Sequence, residues 1–314
     1  MLSRRLLRVK VLQAIYAYYQ STDITAEAAI KNLHTSIQKT FQLYLQLLQL
    51  FIELTRKEEQ YRADKPQKML STNEATDLQS LKSIPFINYL SSNKLFEELK
   101  KEHQISWKND NETLEKIFFN VRSKEEYKEF IQKPKVTESA GTGFGTWLFR
   151  EMIAKSDVIR NKIEEQNIYW ADSLDLVLNI MYKKIKDFNP AKPDTLVSKS
   201  FYKDEEDDKL FLEKLFKEVL NHHDDYEMMI EEKAKNWEIE RIAMIDTILL
   251  KMALTEIMHF PTIPPKVSMN EYIDISKDYS TPKSRIFING LLDKLMHDLK
   301  SEGKVVKTGR GLIE

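Results

Sequence analysis

The sequence predicts an all-α fold, a helical bundle carrying additional inserted helices. Three observations predict it. The chain has only 7 glycines and 9 prolines in 314 residues and is rich in Lys, Glu, Leu and Ile, a helical rather than a β-sandwich composition. Ile242, Ile245, Leu249 and Met252 recur at a helical period, with Ala243, Leu250, Leu254 and Ile257 as a second apolar row beside them, and no proline or glycine interrupts before Pro261. A helix apolar over most of its circumference must be surrounded by other helices, so this one is read as the centre of the bundle. Third, helix-start signals follow it: Ser268-Met269-Asn270-Glu271 reads as a capping box, and Thr281-Pro282 as a capping side chain before a first-turn proline.

Composition bounds the rest. Hydrophobic residues at 42% and aromatics at 10% suffice for a packed core, and the length fits one large domain or two. Cysteine is absent, which excludes a disulfide framework and thiolate chemistry. The formal net charge of -1 gives no global basic excess, so any nucleic-acid binding must use a local patch. No run approaches the roughly 18 apolar residues of a membrane span. The apolar run from Val11 to Tyr19 follows basic residues, but Lys10 and Gln13 interrupt it and no small-residue cleavage site follows, so it reads as a mature amphipathic helix in a cytoplasmic protein.

Taken in order, the first helix runs from about Leu2 to Gln20, with Val9, Leu12, Tyr16 and Tyr19 on one face. Arg4, Arg5, Arg8 and Lys10 cluster at its start. Cations are disfavoured at a helix N-terminus, which leaves two readings, a polyanionic partner or a solvated end. Asp23 or Thr25 caps a second, long helix towards Arg62, with Phe41, Tyr44, Leu45, Leu47, Leu48, Phe51, Ile52 and Leu54 on a wide apolar face and Lys65-Pro66 at its end. Between Asp64 and Pro193, helical patterns at Leu95–Lys101, Leu114–Val121, Glu125–Ile131, Trp147–Ile168 and Leu174–Phe188 are separated by turn signals. Trp107, Phe118, Phe119 and Tyr127 among its aromatics favour packed helices over a linker.

Gly141-Thr142-Gly143-Phe144-Gly145 lacks the ending of a phosphate loop and reads as a helix-entry loop. The acidic run Asp204 to Asp208 leads into the next helix, whose N-terminus favours acids. In that helix Phe211, Leu215, Phe216, Val219 and Leu220 pack inward. His222-His223 with Asp224 and Asp225 reads as a helix-end polar turn, because adjacent histidines diverge and no third ligand at helical spacing completes a metal site. Trp237 packs at the entry to the central helix. After Pro264-Pro265 a helix carries Met269, Tyr272, Ile273 and Ile275 inward. The last helix carries Ile288, Leu291, Leu292, Leu295 and Leu299, with Gly290 read as a point of close helix approach.

Pro264-Pro265-Lys266-Val267-Ser268-Met269-Asn270-Glu271 followed by Phe287-Ile288-Asn289-Gly290-Leu291-Leu292-Asp293-Lys294 resembles the signature of the NusB family of transcription antitermination factors. The resemblance covers about Asp204 to Lys300 and, more weakly, Arg4 to Gln20, where Gln13-Ala14-Ile15-Tyr16 follows an arginine-rich start diluted by Leu6 and Leu7. It implies a helical bundle of the NusB type, with segments 1–63 and 204–300 as the core, 64–203 as an inserted helical region and 301–314 as a flexible tail. It further implies a non-enzymatic RNA-binding module. Such proteins pair with NusE, a ribosomal protein of the small subunit, bind the single-stranded RNA element boxA and support ribosomal RNA transcription alongside NusA, NusG and RNA polymerase.

By that resemblance Arg4, Arg5 and Arg8 supply phosphate neutralisation, and Lys283, Ser284, Arg285, Phe287 and Asn289 a second contact region near the start of the last helix. Core packing stands as the other reading of Phe287, and helix packing as that of Asn289. Tyr16, Asp246 and Glu256 match positions of the NusE surface, with an ion pair to Arg241 or Lys251 as the other reading of Asp246. No nucleophile with a base, metal set, cofactor motif or phosphate loop stands out, and the glycine-rich unit of methyl-donor enzymes is not evident, so catalysis is not expected. The alternative is a helical scaffold whose inserted helices bind another protein.

Overall fold

The computed structural model describes residues 3–68, 78–234 and 243–312. These residues form fifteen α-helices, numbered α1 to α15 along the chain, and no β-strand, as the composition and periodicity predict. They divide into two compact units, Met1–Ser36 with Tyr202–Glu314, and Ile37–Phe201.

The first unit is built around α13 (Met244–His259). Every residue from Ile248 to Ile257 is buried, the polar Lys251, Thr255 and Glu256 included. Helices α1 (Arg4–Gln20), α11 (Glu205–Asn221), α12 (His223–Lys233), α14 (Pro265–Tyr279) and α15 (Pro282–Ser301) all pack on it, which is what an apolar circumference requires. On α1 Leu7, Arg8, Val9, Lys10, Val11, Leu12 and Ile15 are buried. Of the expected face Val9 and Leu12 lie inward, whereas Tyr16 is 39% exposed. Trp237, Arg241 and Ile242 lie outside the described residues.

One helix start differs from expectation for a local reason. Helix α14 starts three residues before Ser268, with Pro264 at the cap and Pro265 in the first turn, where a fixed φ and a missing N–H are harmless. Ser268 and Glu271 form no capping box and bond to other helices instead. Helix α15 starts as predicted, with the Thr281 hydroxyl accepting from the Ser284 amide at 3.1 Å. Its Gly290 has no atom within 4 Å of where a Cβ would stand, so close helix approach is not its reason. Beyond α15 the chain, expected to be a flexible tail, lies on the α13–α14 turn. The Thr308 amide donates to the Pro261 carbonyl at 2.9 Å, and the Lys307 ammonium to the carbonyls of Phe260 (2.9 Å) and Glu256 (3.3 Å).

Helix α2 (Ala26–Lys68) begins in the first unit, its start capped by Thr25, and continues past Pro66, beyond the expected stop. In the second unit its Leu43, Tyr44, Leu45, Leu47, Leu48, Leu50 and Phe51 are fully buried. The other helices of this unit are α3 (Pro85–Ser92), α4 (Lys94–Glu102), α5 (Asn111–Ser123), α6 (Glu125–Ile131), α7 (Glu138–Phe149), α8 (Asp157–Gln166), α9 (Ile168–Ala171) and α10 (Leu174–Lys186). The buried Trp107 indole donates to the Gln46 carbonyl at 2.8 Å and the Tyr44 hydroxyl to the Leu196 carbonyl at 2.6 Å, so the aromatics are anchored as well as packed.

The glycine group is a correction. Gly141 to Gly145 lie inside α7, not in an entry loop. A Cβ on Gly145 would stand 2.6 Å from Phe86 Cε1, and one on Gly141 2.7 Å from Pro85 Cδ. The two glycines, one turn apart, form the groove that receives the start of α3. The pattern Trp147–Ile168 is likewise not one helix. A π-type turn at Arg150–Ala154 ends α7, and Ser156 caps α8.

Candidate nucleic-acid interface

The basic start of α1 is held against α14 and α11 by carboxylates. Arg8 is 3% exposed and forms a two-pronged bond to Glu256 of α13, Nη2 to Oε1 at 2.6 Å and Nε to Oε2 at 2.8 Å. Ser268 and Tyr272 of α14 donate their hydroxyls to the same carboxylate at 2.6 and 3.0 Å. Glu256 thus accepts two bonds on each oxygen, which offsets the desolvation of a charge with no exposed surface. Burial alone pulls the Arg8 pKa down, but the bonds to Glu256 outweigh it and the guanidinium is held charged above its ordinary value. Burial also pushes the Tyr272 hydroxyl well above its ordinary value, next to the Glu256 charge.

Arg5 lies nearer solvent. Its Nε and Nη2 each meet Glu271 at 3.0 Å, and Nη2 meets Asp274 at 2.8 Å. The Glu271 hydrogen bond is the main reason its pKa is raised. Glu271 also reaches Arg8 Nη1 at 3.3 Å. Arg4 pairs with Asp207 and with Asp208 (3.3 Å) at the start of α11, and its guanidinium lies 4.4 Å from the Phe211 ring centre. Spacing explains the match: Arg5 and Arg8 are three apart on α1, as are Glu271 and Asp274 on α14, so each pair shares one helix face. The sequence showed both spacings, but Glu271 had a competing use as a capping residue.

The second basic group sits elsewhere along α13. Lys283 and Arg285 are exposed and form no ion pair among the described residues, Asn289 is exposed, Ser284 is half-buried and engaged with Thr281, and Phe287 is only 6% exposed within the core. The start of α15 is tied to the first turn of α13 by the Ser280 hydroxyl, which donates to Asp246. Ten residues of α13 separate Asp246 from Glu256, about 15 Å along the axis. The arginines of α1 and the base of α15 therefore flank opposite ends of α13 and form no continuous patch by direct contact.

The positions assigned to a protein partner also separate. Tyr16 is exposed on α1, one turn before Gln20, whose amide reaches Met244 Sδ at 3.5 Å, and Met244 is itself 41% exposed. Asp246 is buried in the first turn of α13, where the helix dipole favours an acid. Lys251 does not pair with it, being held by Glu227 at 2.8 Å and by His223 at 3.0 Å. Glu256 is fully buried and occupied by Arg8.

Comparison with known proteins bears on this arrangement. A model of the NusB family matches residues 151–297. The Transcription antitermination protein NusB of Methylacidiphilum infernorum is 33% identical over 145 residues, 45% of this chain and 92% of that protein. The chain belongs to the NusB family. The NusB of Salinibacter ruber is 52% identical over 103 residues, 33% of this chain and 64% of its own length. The NusB of Chloroherpeton thalassium is 42% identical over 104 residues, 33% of this chain and 49% of its own length. The chain thus spans under two thirds of these two relatives. The family match begins within the stretch read from the sequence as an insertion. No solved structure matches the chain. No helix among the described residues is long and apolar enough to cross a membrane.

Proposed function

We propose that this NusB-family chain is a non-enzymatic RNA-binding factor of transcription antitermination, pairing with ribosomal protein NusE and binding boxA-type single-stranded RNA to support ribosomal RNA transcription in the cytoplasm. The match to relatives named transcription antitermination proteins carries the reading. Arg4 and Arg5 are themselves solvent-accessible and take phosphates by leaving their carboxylate partners, which costs least at the Arg4 pair with exposed Asp207. Arg8 serves the same surface from below, fixing the first turn of α1 on α13 and α14. Lys283 and Arg285, with Asn289, take a further stretch of the same strand, and the α15 N-terminus near Ser284 favours an anion. The gap between the two basic groups suits an extended single strand better than a compact ligand. The NusE contact falls on exposed Tyr16 and Met244, with Asp246 holding the helix starts behind them. NusA, NusG and RNA polymerase complete the assembly.

Fluorescence anisotropy of a labelled boxA RNA, titrated with and without NusE at several salt concentrations, tests the reading. Tighter binding with NusE that weakens with salt is expected. Binding indifferent to RNA sequence and to NusE overturns it.

A further inference from the structure

Of the adjacent pair His222-His223, only His222 stands at ligand distance from other metal-binding groups, Glu218 one turn before it and His259 from another helix. Glu218 and His222 stand one turn apart at the end of α11 and share a face. His259, the last residue of α13, comes against them from a helix 37 residues further along the chain. His222 Nε2 lies 3.4 Å from Glu218 Oε2, and His259 Nδ1 lies 3.9 Å from the same oxygen. The two imidazoles are stacked with centres 4.6 Å apart and planes 20° apart. One ligand atom from each of the three residues falls within 4.8 Å of the others, the one such grouping of three among the described residues.

These spacings are near those a metal imposes. Ligands at about 2.0–2.2 Å in a tetrahedral site stand roughly 3.3–3.5 Å apart. The Glu218–His222 edge already has that length, the Glu218–His259 edge needs a shift of about half an ångström, and one of the two stacked rings must turn so that both nitrogen lone pairs point at the ion. The outer partner is also in place, since His222 Nδ1 faces Asp225 Oδ2 at 3.5 Å, the carboxylate–histidine relay that orients a ligating ring. The other ring nitrogen of His259, Nε2, is buried and has no hydrogen-bond partner in the protein. The nearby cation is already committed: Lys214 donates to the His259 carbonyl at 2.7 Å and lies over the Phe260 ring. His223, the neighbour in sequence, is turned to Tyr19, Lys251 and Glu227 and takes no part.

We propose that Glu218, His222 and His259 form a site for a divalent transition metal of the zinc class, which clips the end of α11 to the end of α13. Two imidazoles and one carboxylate suit Zn²⁺, Co²⁺ or Ni²⁺ over Mg²⁺ or Ca²⁺, which prefer all-oxygen shells. All three residues are half-buried, so a fourth position stays open to water.

The test uses the full chain, stripped with chelator and titrated with ZnCl₂ by calorimetry and with CoCl₂ by visible absorption. One equivalent is expected, with a tetrahedral or five-coordinate Co²⁺ spectrum. The unfolding midpoint should rise by about 5 °C or more at a hundredfold excess over the dissociation constant. His222→Gln and His259→Gln should each weaken binding more than tenfold, whereas His297→Gln, on an exposed histidine of α15, should leave it unchanged. Circular dichroism of each metal-free variant checks its folding, and the wild-type Co²⁺ spectrum stands independently of the variants. Absence of a saturable equivalent, or the same affinity in the His222→Gln and His259→Gln proteins, overturns the proposal.

Discussion

Arg5 and Arg8 are three residues apart, carry the same charge and share Glu271, yet burial gives them different work. Arg8 and Glu256 are both shielded from water, so removing either strands a buried charge. Arg8→Met is expected to lower stability by about 3–5 kcal/mol, read from the midpoint of urea denaturation, and Arg8→Met with Glu256→Leu together by less than the sum of the two single changes. Arg5 is 45% exposed, and Arg5→Ala should cost under about 1 kcal/mol while weakening RNA binding. A large stability loss in Arg5→Ala would place Arg5 in the core instead. Glycines divide in the same way. Gly290→Ala meets open space in a helix and should stabilise by up to about 1 kcal/mol. Gly145→Ala must displace Phe86 or Ile84 and should destabilise by about 1–3 kcal/mol, both read from thermal melts.

Among the elements, α13 is closed at its C-terminal end by a segment from far along the chain. Lys307 donates to two of its last carbonyls, where a cation is favoured, and Gly311 fits because a Cβ there would stand 1.9 Å from the Pro261 oxygen. Partial burial pulls the Lys307 ammonium down to about 8, with the Glu256 charge opposing the shift. The unfolded chain restores a value of about 10.4, so the folded state binds this proton less tightly. Stability therefore rises as pH climbs from about 8 to about 10.4 and is indifferent to this group outside that window. Melting temperatures of wild type and Lys307→Met across pH 7–10.5 should converge or diverge only within the window. Parallel curves would show that the two carbonyl bonds cancel the cost of burial.

At the scale of the whole molecule, a net charge of -1 leaves RNA binding to local cations. If Arg4 and Arg5 each meet one phosphate, the double Arg4→Ala, Arg5→Ala protein should lose about 1.4 from the slope of log affinity against log salt, two contacts at roughly 0.7 each for single strands. The same change at Lys283 and Arg285 should give a comparable loss, since neither group touches the other. A slope unmoved by either double variant places the RNA elsewhere on the protein.

Helix content, the largely apolar α13, the Thr281-Pro282 start and the inward row of α15 were legible in the sequence, because period and capping are local and use nearby residues. The family signature was legible for the same reason. What tertiary structure alone decided concerns residues with two possible uses. Ser268 and Glu271 have the spacing of a capping box, but the helix already starts at Pro265 and their polar atoms go to Glu256, Arg5 and Arg8 across helices. Gly141 to Gly145 look like a loop until Pro85 and Phe86 need the space beside α7. His259 joins Glu218 and His222 only through packing of α11 on α13. Sequence determined which segments are helical and which faces are apolar, since those follow from short-range sterics and transfer from water. The choice of partner for each buried charge required the fold, because it depends on which distant side chains reach the same dry place.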